Sequence, residues 1–184
     1  VAQAINRQLA ARPAAIATLI AETGGQNAMI VDSSALPEQV VKDAIASAFH
    51  SAGQRCSALR VLYLQEEIAD KVEQMLRGAM QELAVGDPGL LETDVGPVID
   101  DAALARLKRH ADELRWQGRI VAEVALPQAC AHGTYFAPTV ARIEDIEQLD
   151  GEYFGPMLHL VRYRAKDLDQ VIDAINATGY GLTL

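Results

Sequence analysis

The chain has 184 residues, half of them hydrophobic and 22% charged, which is enough apolar chain for a folded core and excludes a disordered segment. A net charge of -9 without clustered Lys or Arg excludes a phosphate-backbone surface, so no nucleic acid contact is expected of this piece. The longest apolar runs, such as residues 13–21, are too short to cross a bilayer, and no basic region precedes a signal core, which leaves a cytoplasmic protein with no membrane contact of its own and Cys56 and Cys130 as reduced thiols.

Residues 1–10 have helical spacing of apolar side chains but no cap, and the closing Gly179-Tyr180-Gly181-Leu182-Thr183-Leu184 has no polar tail, so both ends read as cuts within a longer protein. Residues 14–21 are almost continuously apolar and predict a strand buried on both faces, ended by Thr23-Gly24-Gly25. A short strand over 28–31 leads through Asp32-Ser33-Ser34 and Pro37 into a helix with the stripe Val40, Val41, Ala44, Ile45, Ala48 and Phe49. That helix delivers the chain to Gly53-Gln54-Arg55-Cys56. A strand over 60–64 precedes a helix through Ile68, Val72, Leu76 and Leu83, which stops at Gly86-Asp87-Pro88-Gly89. A helix over about 101–117, strands over 119–124, 135–143 and 157–163, and a helix over 168–177 follow. The alternation predicts an α/β fold with helices layered around a largely parallel sheet.

Local chemistry leaves several readings open. Cys56 lies in a glycine-containing loop between helix and strand, where a thiolate can be exposed and Arg55 can favour ionisation, but a lone cysteine is more often a small buried hydrophobe. Glu22, directly after the predicted strand, stands at a carboxyl end where open α/β sheets gather ligands and where a desolvated carboxylate suits a general base; it equally fits a solvated strand-end charge. Glu152-Tyr153-Phe154-Gly155-Pro156 combines a ribose-binding type of acid with a ring, or is an ordinary turn. His50, His110, His132 and His159 show no metal-ligand spacing and read, like Cys130, as structural or surface residues; no metal site is expected.

As an ordered set these signals are far more specific. Glu22-Thr23-Gly24-Gly25-Gln26 resembles the glutamate motif of aldehyde dehydrogenases, and Phe49-His50-Ser51-Ala52-Gly53-Gln54-Arg55-Cys56 resembles the cysteine motif, 34 positions after Glu22 as in that family. Glu152-Tyr153-Phe154-Gly155-Pro156 is similar to the family's E-x-F-G-P motif, and Asn176 to Leu182 to its N-x-x-x-Y-G-L motif. With Thr23, Gln26 and Ser57 as departures from the common pattern, the segments 21–32 and 51–60 most resemble the Δ1-pyrroline-5-carboxylate dehydrogenase branch found in bifunctional proline utilization A.

The resemblance implies an aldehyde dehydrogenase catalytic-domain fragment, with residues 1–25 a remnant of the NAD-binding domain and 26–184 a catalytic domain truncated at its C-terminal end. It implies oxidation of glutamate γ-semialdehyde to glutamate in proline catabolism. Cys56 would be the nucleophile, Glu22 the base, Glu152, Phe154 and Thr23 the NAD-binding residues, and Ser57 a ligand of the substrate carboxylate. FAD would belong only to a proline dehydrogenase domain of the same polypeptide, and the parent would be a homo-oligomer open to peripheral membrane association. Alternatives are an aldehyde dehydrogenase of different substrate, a non-catalytic folded module with a passive thiol, or a cysteine hydrolase using Cys56 and a histidine. In the family the dinucleotide domain, with its asparagine donor to the oxyanion, lies mostly before the position of Val1. Loss of one such donor alone slows catalysis by about 10²- to 10³-fold, so the 184-residue chain by itself is expected to be inactive; NAD-dependent turnover of the semialdehyde by it, read at 340 nm, would contradict this.

Overall fold

Val61-Leu62-Tyr63-Leu64-Gln65 is buried along its whole length because it runs inside a sheet with a parallel neighbour on each side. In the computed structural model, which describes residues 1–184, the strands β1 (Ala28–Val31), β2 (Val61–Gln65), β3 (Ile120–Glu123), β4 (Thr139–Arg142) and β5 (Met157–Tyr163) form one sheet in the order β1-β2-β5-β4-β3. All pairings are parallel except β3 with β4, which is antiparallel and carries a register shift between Ile120 and Ala122. The α/β class and the largely parallel sheet expected from the alternating pattern are therefore observed.

Side-chain alternation sends the two halves of each central strand to different cores. Leu62, Leu64, Leu158 and Leu160 face α2 (Pro37–Phe49) and α3 (Glu66–Gln81), where Ala44, Phe49, Val72 and Leu76 complete the layer. Val61, Tyr63, Met157 and Val161 face α4 (Asp101–Trp116) and α5 (Leu168–Ala177), against Leu104, Leu107 and Val171. Asp100 caps α4, its side chain accepting from the Ala103 amide at 2.8 Å. Asp32 instead accepts from the Ser34 amide and hydroxyl in a tight turn, leaving Pro37 to start α2 without a side-chain cap.

Two expectations change. Residues 14–21 form no strand: they are irregular, and Ile16 and Ile20 point into solvent. A strand exists only where a neighbour takes its hydrogen bonds, and no segment of these 184 residues pairs with this one. The stretch 135–143 shortens to β4 because Pro138 has no amide to donate. The helix α1 (Ala2–Ala11) is observed, but with no buried residue.

Glu73 pins α3 across two strands. Almost fully buried, its carboxylate accepts from Arg142 Nη2 of β4 at 2.6 Å and from Arg162 Nε of β5 at 2.8 Å. Both arginines reach solvent, so they can be rehydrated when the acid is lost. Glu73→Gln should therefore lower stability by about 1–3 kcal/mol, the range for hydrogen bonds to charged groups, as read from urea unfolding midpoints.

Candidate active site

Because β1, β2 and β5 are adjacent and parallel, the segments that enter them lie side by side at the amino ends of the strands. Those segments are residues 22–27, 53–60 and 151–156, which carry three of the motifs found in the sequence. This is the edge opposite to the carboxyl ends at which Glu22 was expected, since the strand that would have preceded Glu22 is absent. Asn27, buried at the entry to β1, donates through Nδ2 to the carbonyls of Cys56 at 2.7 Å and Ala58 at 2.8 Å. The first two segments are thereby tied five residues beyond Glu22.

The Cys56 loop is shaped by backbone conformations that are costly unless tertiary contacts enforce them. After α2 the chain turns through Ser51, Ala52 and Gly53 with φ of 57°, 51° and 62°, three successive left-handed residues, two of which bear a Cβ. Gly53 is required twice over: a Cβ there would lie 2.2 Å from the Gly155 carbonyl oxygen and 2.7 Å from that of Ala48. Gln54 bridges to the strand-free segment before α4, donating to the Pro97 carbonyl at 3.2 Å and accepting from the Ile99 amide at 2.8 Å. Arg55 turns back to donate to the Ala46 and Ser47 carbonyls near the end of α2, so its guanidinium is engaged there rather than on the thiol. Cys56 and Ser57 are exposed, and the thiol makes no hydrogen bond.

Beneath this loop lies Arg60, 1% exposed. Its Nη1 donates to the Gly53 carbonyl at 2.6 Å and the Gly155 carbonyl at 3.3 Å; its Nη2 donates to the Arg55 carbonyl at 3.1 Å and to Glu152 Oε1 at 3.2 Å. The Phe154 ring sits over the guanidinium with its centroid 5.2 Å from Cζ. On its other oxygen Glu152 abuts Gly24, where a Cβ would come within 1.7 Å of Oε2. Glu22 and Thr23, two and one residues earlier, are exposed, and the Glu22 carboxylate has no hydrogen-bond partner.

Under Arg60 a pair of histidines closes the layer. His159 Nδ1 lies 3.1 Å from the Arg60 carbonyl, which can only accept, so Nδ1 carries the proton and Nε2 is the acceptor. His110 Nε2, 2.8 Å away, must then donate. The His110 ring stacks on Tyr153 at 3.7 Å, next to Glu152 in the chain. Burial keeps both imidazoles neutral, His110 held down to about 4 and His159 to about 3, the latter also by the neighbouring His110.

The whole of residues 1–184 matches the model of the aldehyde dehydrogenase family. The chain belongs to that family. It is 57% identical over 171 residues to the bifunctional protein PutA of Escherichia coli, covering 90% of this chain and 13% of that protein. It is 35% identical to the 1-pyrroline-5-carboxylate dehydrogenase of Bacillus cytotoxicus, over 90% of this chain and 32% of that one. Among solved structures, a proline utilization A mutant from Bradyrhizobium japonicum superposes with a TM-score of 0.91 at 49% identity, covering 98% of this chain and 18% of that chain. The chain thus spans a small part of the length of these relatives.

Of the residues singled out in sequence, the aldehyde dehydrogenase fold brings Glu152, Phe154 and the Cys56 loop together around Arg60, and sets Gly24 against Glu152. Glu22, Thr23 and Ser57 stay at the solvent side of that cluster without bonds of their own. Arg60 and Asn27 had no role assigned from the sequence, and Gln54 entered only as part of the cysteine motif. For Asn27 and Arg60 the visible signal was a polar residue directly before an apolar strand. His110 and His159 are buried structural residues, whereas His50 and His132 are exposed.

The neutral histidine pair has a consequence for acid stability. In the unfolded chain each imidazole protonates near 6.5, whereas in the fold neither does until about pH 4. Between these values the unfolded state binds more protons, so stability falls as pH drops, by up to about 1.4 kcal/mol per pH unit for each ring. His110→Gln, whose amide can still donate to His159, should flatten this slope by about one ring's share in urea unfolding at pH 7 to 5.

Proposed function

We propose that this chain is the part of an NAD(P)-dependent aldehyde dehydrogenase that holds the nucleophile and the water-activating carboxylate, and that its substrate is L-glutamate γ-semialdehyde, oxidised to glutamate in proline catabolism. The observation that carries the reading is an exposed cysteine on a loop bound, through Asn27 and Arg60, to the two segments bearing Glu22 and Glu152. Support for the substrate comes from relatives named 1-pyrroline-5-carboxylate dehydrogenase and bifunctional PutA. Enzymes of this family generally use NAD(P).

The residues present fit one end of such a cofactor. Glu152 offers an acceptor carboxylate fixed by a buried cation, Phe154 leaves 39% of its surface free for a ring or sugar to pack on, and the glycine at 24 lets backbone approach the carboxylate where any Cβ would collide. Glu152 and Phe154 would hold the nicotinamide ribose, and the Thr23 carbonyl the carboxamide. Residues 1–25 then represent the edge of the nucleotide-binding domain and 26–184 the catalytic domain.

The Cys56 thiolate adds to the aldehyde carbon, forming a C–S bond and an alkoxide, while the exposed Ser57 hydroxyl donates to the substrate's carboxylate. NAD(P), when bound, supplies the acceptor for the hydrogen and electron pair of the aldehyde C–H bond. What remains on Cys56 is a thioester. Glu22 takes a proton from water, the hydroxide adds to the thioester carbonyl, and the C–S bond breaks to return the thiolate and release glutamate. The flavin of a proline dehydrogenase domain plays no part in these steps.

In the full-length protein, Cys56→Ala should lower semialdehyde oxidation by at least about 10³-fold, as expected for loss of a covalent nucleophile. Glu22→Gln should retain the first burst of NAD(P)H and accumulate a thioester detectable by intact mass. Normal steady-state turnover by either variant would rule out the role assigned to that residue.

A further inference from the structure

We propose that Arg60 is a positioning residue that holds the Cys56 loop and the Glu152 carboxylate as one unit, acting on the reaction through the binding of the nicotinamide nucleotide. The inference takes the roles of Cys56 and Glu152 from the function proposed above. As a source of stability the residue is a poor choice: a guanidinium is taken out of water for a single carboxylate that is itself partly exposed, and its buried Nε has no partner at all. Burial accordingly pulls the guanidinium below its ordinary range, against the pull of Glu152, although it remains charged. What the side chain delivers is geometry.

Its two terminal nitrogens each straddle two segments. Nη1 binds the carbonyls of Gly53 and Gly155, the two residues at which the loops touch most closely; Nη2 binds the carbonyl preceding Cys56 and the Glu152 carboxylate. The planar fork therefore fixes the distance between nucleophile loop and ribose acid, and its face supports Phe154. Its main chain is fixed in turn, because the Arg60 carbonyl accepts from both the amide and Nδ1 of His159. A lysine keeps the charge but, as a point donor on a flexible stem, cannot span four acceptors.

The test uses the full-length protein with NADH as the probe. Arg60→Lys should weaken NADH binding and raise KM for NAD(P) about tenfold, as for the loss of hydrogen bonds to a charged group, while KM for the semialdehyde stays near wild type. Glu152→Gln should do the same, and the double variant should be no worse than about twofold beyond either single one, since the two side chains act together. Hydrogen exchange in Arg60→Met should show residues 53–59 and 152–156 losing protection together. A merely structural residue would instead reduce the active fraction, lowering kcat with both KM values unchanged, and would combine additively with Glu152→Gln; that pattern overturns the proposal. If wild-type protein neither binds NADH nor oxidises the semialdehyde, the proposed function falls and the exchange data alone decide Arg60: joint loss supports positioning, and loss in only one segment refutes it. Should Arg60→Met fail to fold, the exchange comparison is made on Arg60→Lys and read in the same way.

Discussion

A cation buried at the entry to β2 organises this part of the molecule. Arg60 has no water to solvate it, so its terminal N–H groups must find protein acceptors, and those within reach are three loop carbonyls and one carboxylate from segments nearly a hundred residues apart in the chain. Satisfying the guanidinium therefore brings the loop after α2 and the turn before β5 into register. Asn27 does the same for the segment entering β1, with two amide hydrogens in place of a charge.

Close approach is the second requirement, and it explains the glycines at the contact. Gly53 packs its α-carbon against the Gly155 carbonyl with no room for a Cβ, and Gly155 leaves none against Leu107. The left-handed Ser51 and Ala52 are held in that conformation because the next carbonyl is bound from below by Arg60 and Ala52 is itself buried. The exposed Cys56 thus stands on a loop whose base is held by Arg60 and by the close contact of Gly53 with Gly155.

The sheet places all of this at the amino edge of its parallel strands rather than at the carboxyl edge where open α/β sheets most often bind ligands. The reason is topological: β2 and β5 are parallel neighbours, so the ends of the loops leading into them lie side by side. Glu22 reaches the same edge by a different route, along an irregular exposed segment that pairs with no strand.

Elements with strong periodicity were legible from the amino-acid order. The helix over 168–177 and the strand over 157–163 are found where the pattern placed them, and the alternation of elements sufficed for the fold class, because apolar spacing is a local consequence of burying one face. The ordered motifs around Glu22, Cys56 and Glu152 were legible for the same reason that the family is. The irregular conformation of residues 14–21 depends on long-range pairing, which local hydrophobicity cannot supply, and so do the partners of Arg55, on α2, and of Arg60, on Gly53, Arg55, Gly155 and Glu152. The letters set Arg60 at a strand entry and Arg55 in a loop, but not what either one binds; their partners lie across the fold.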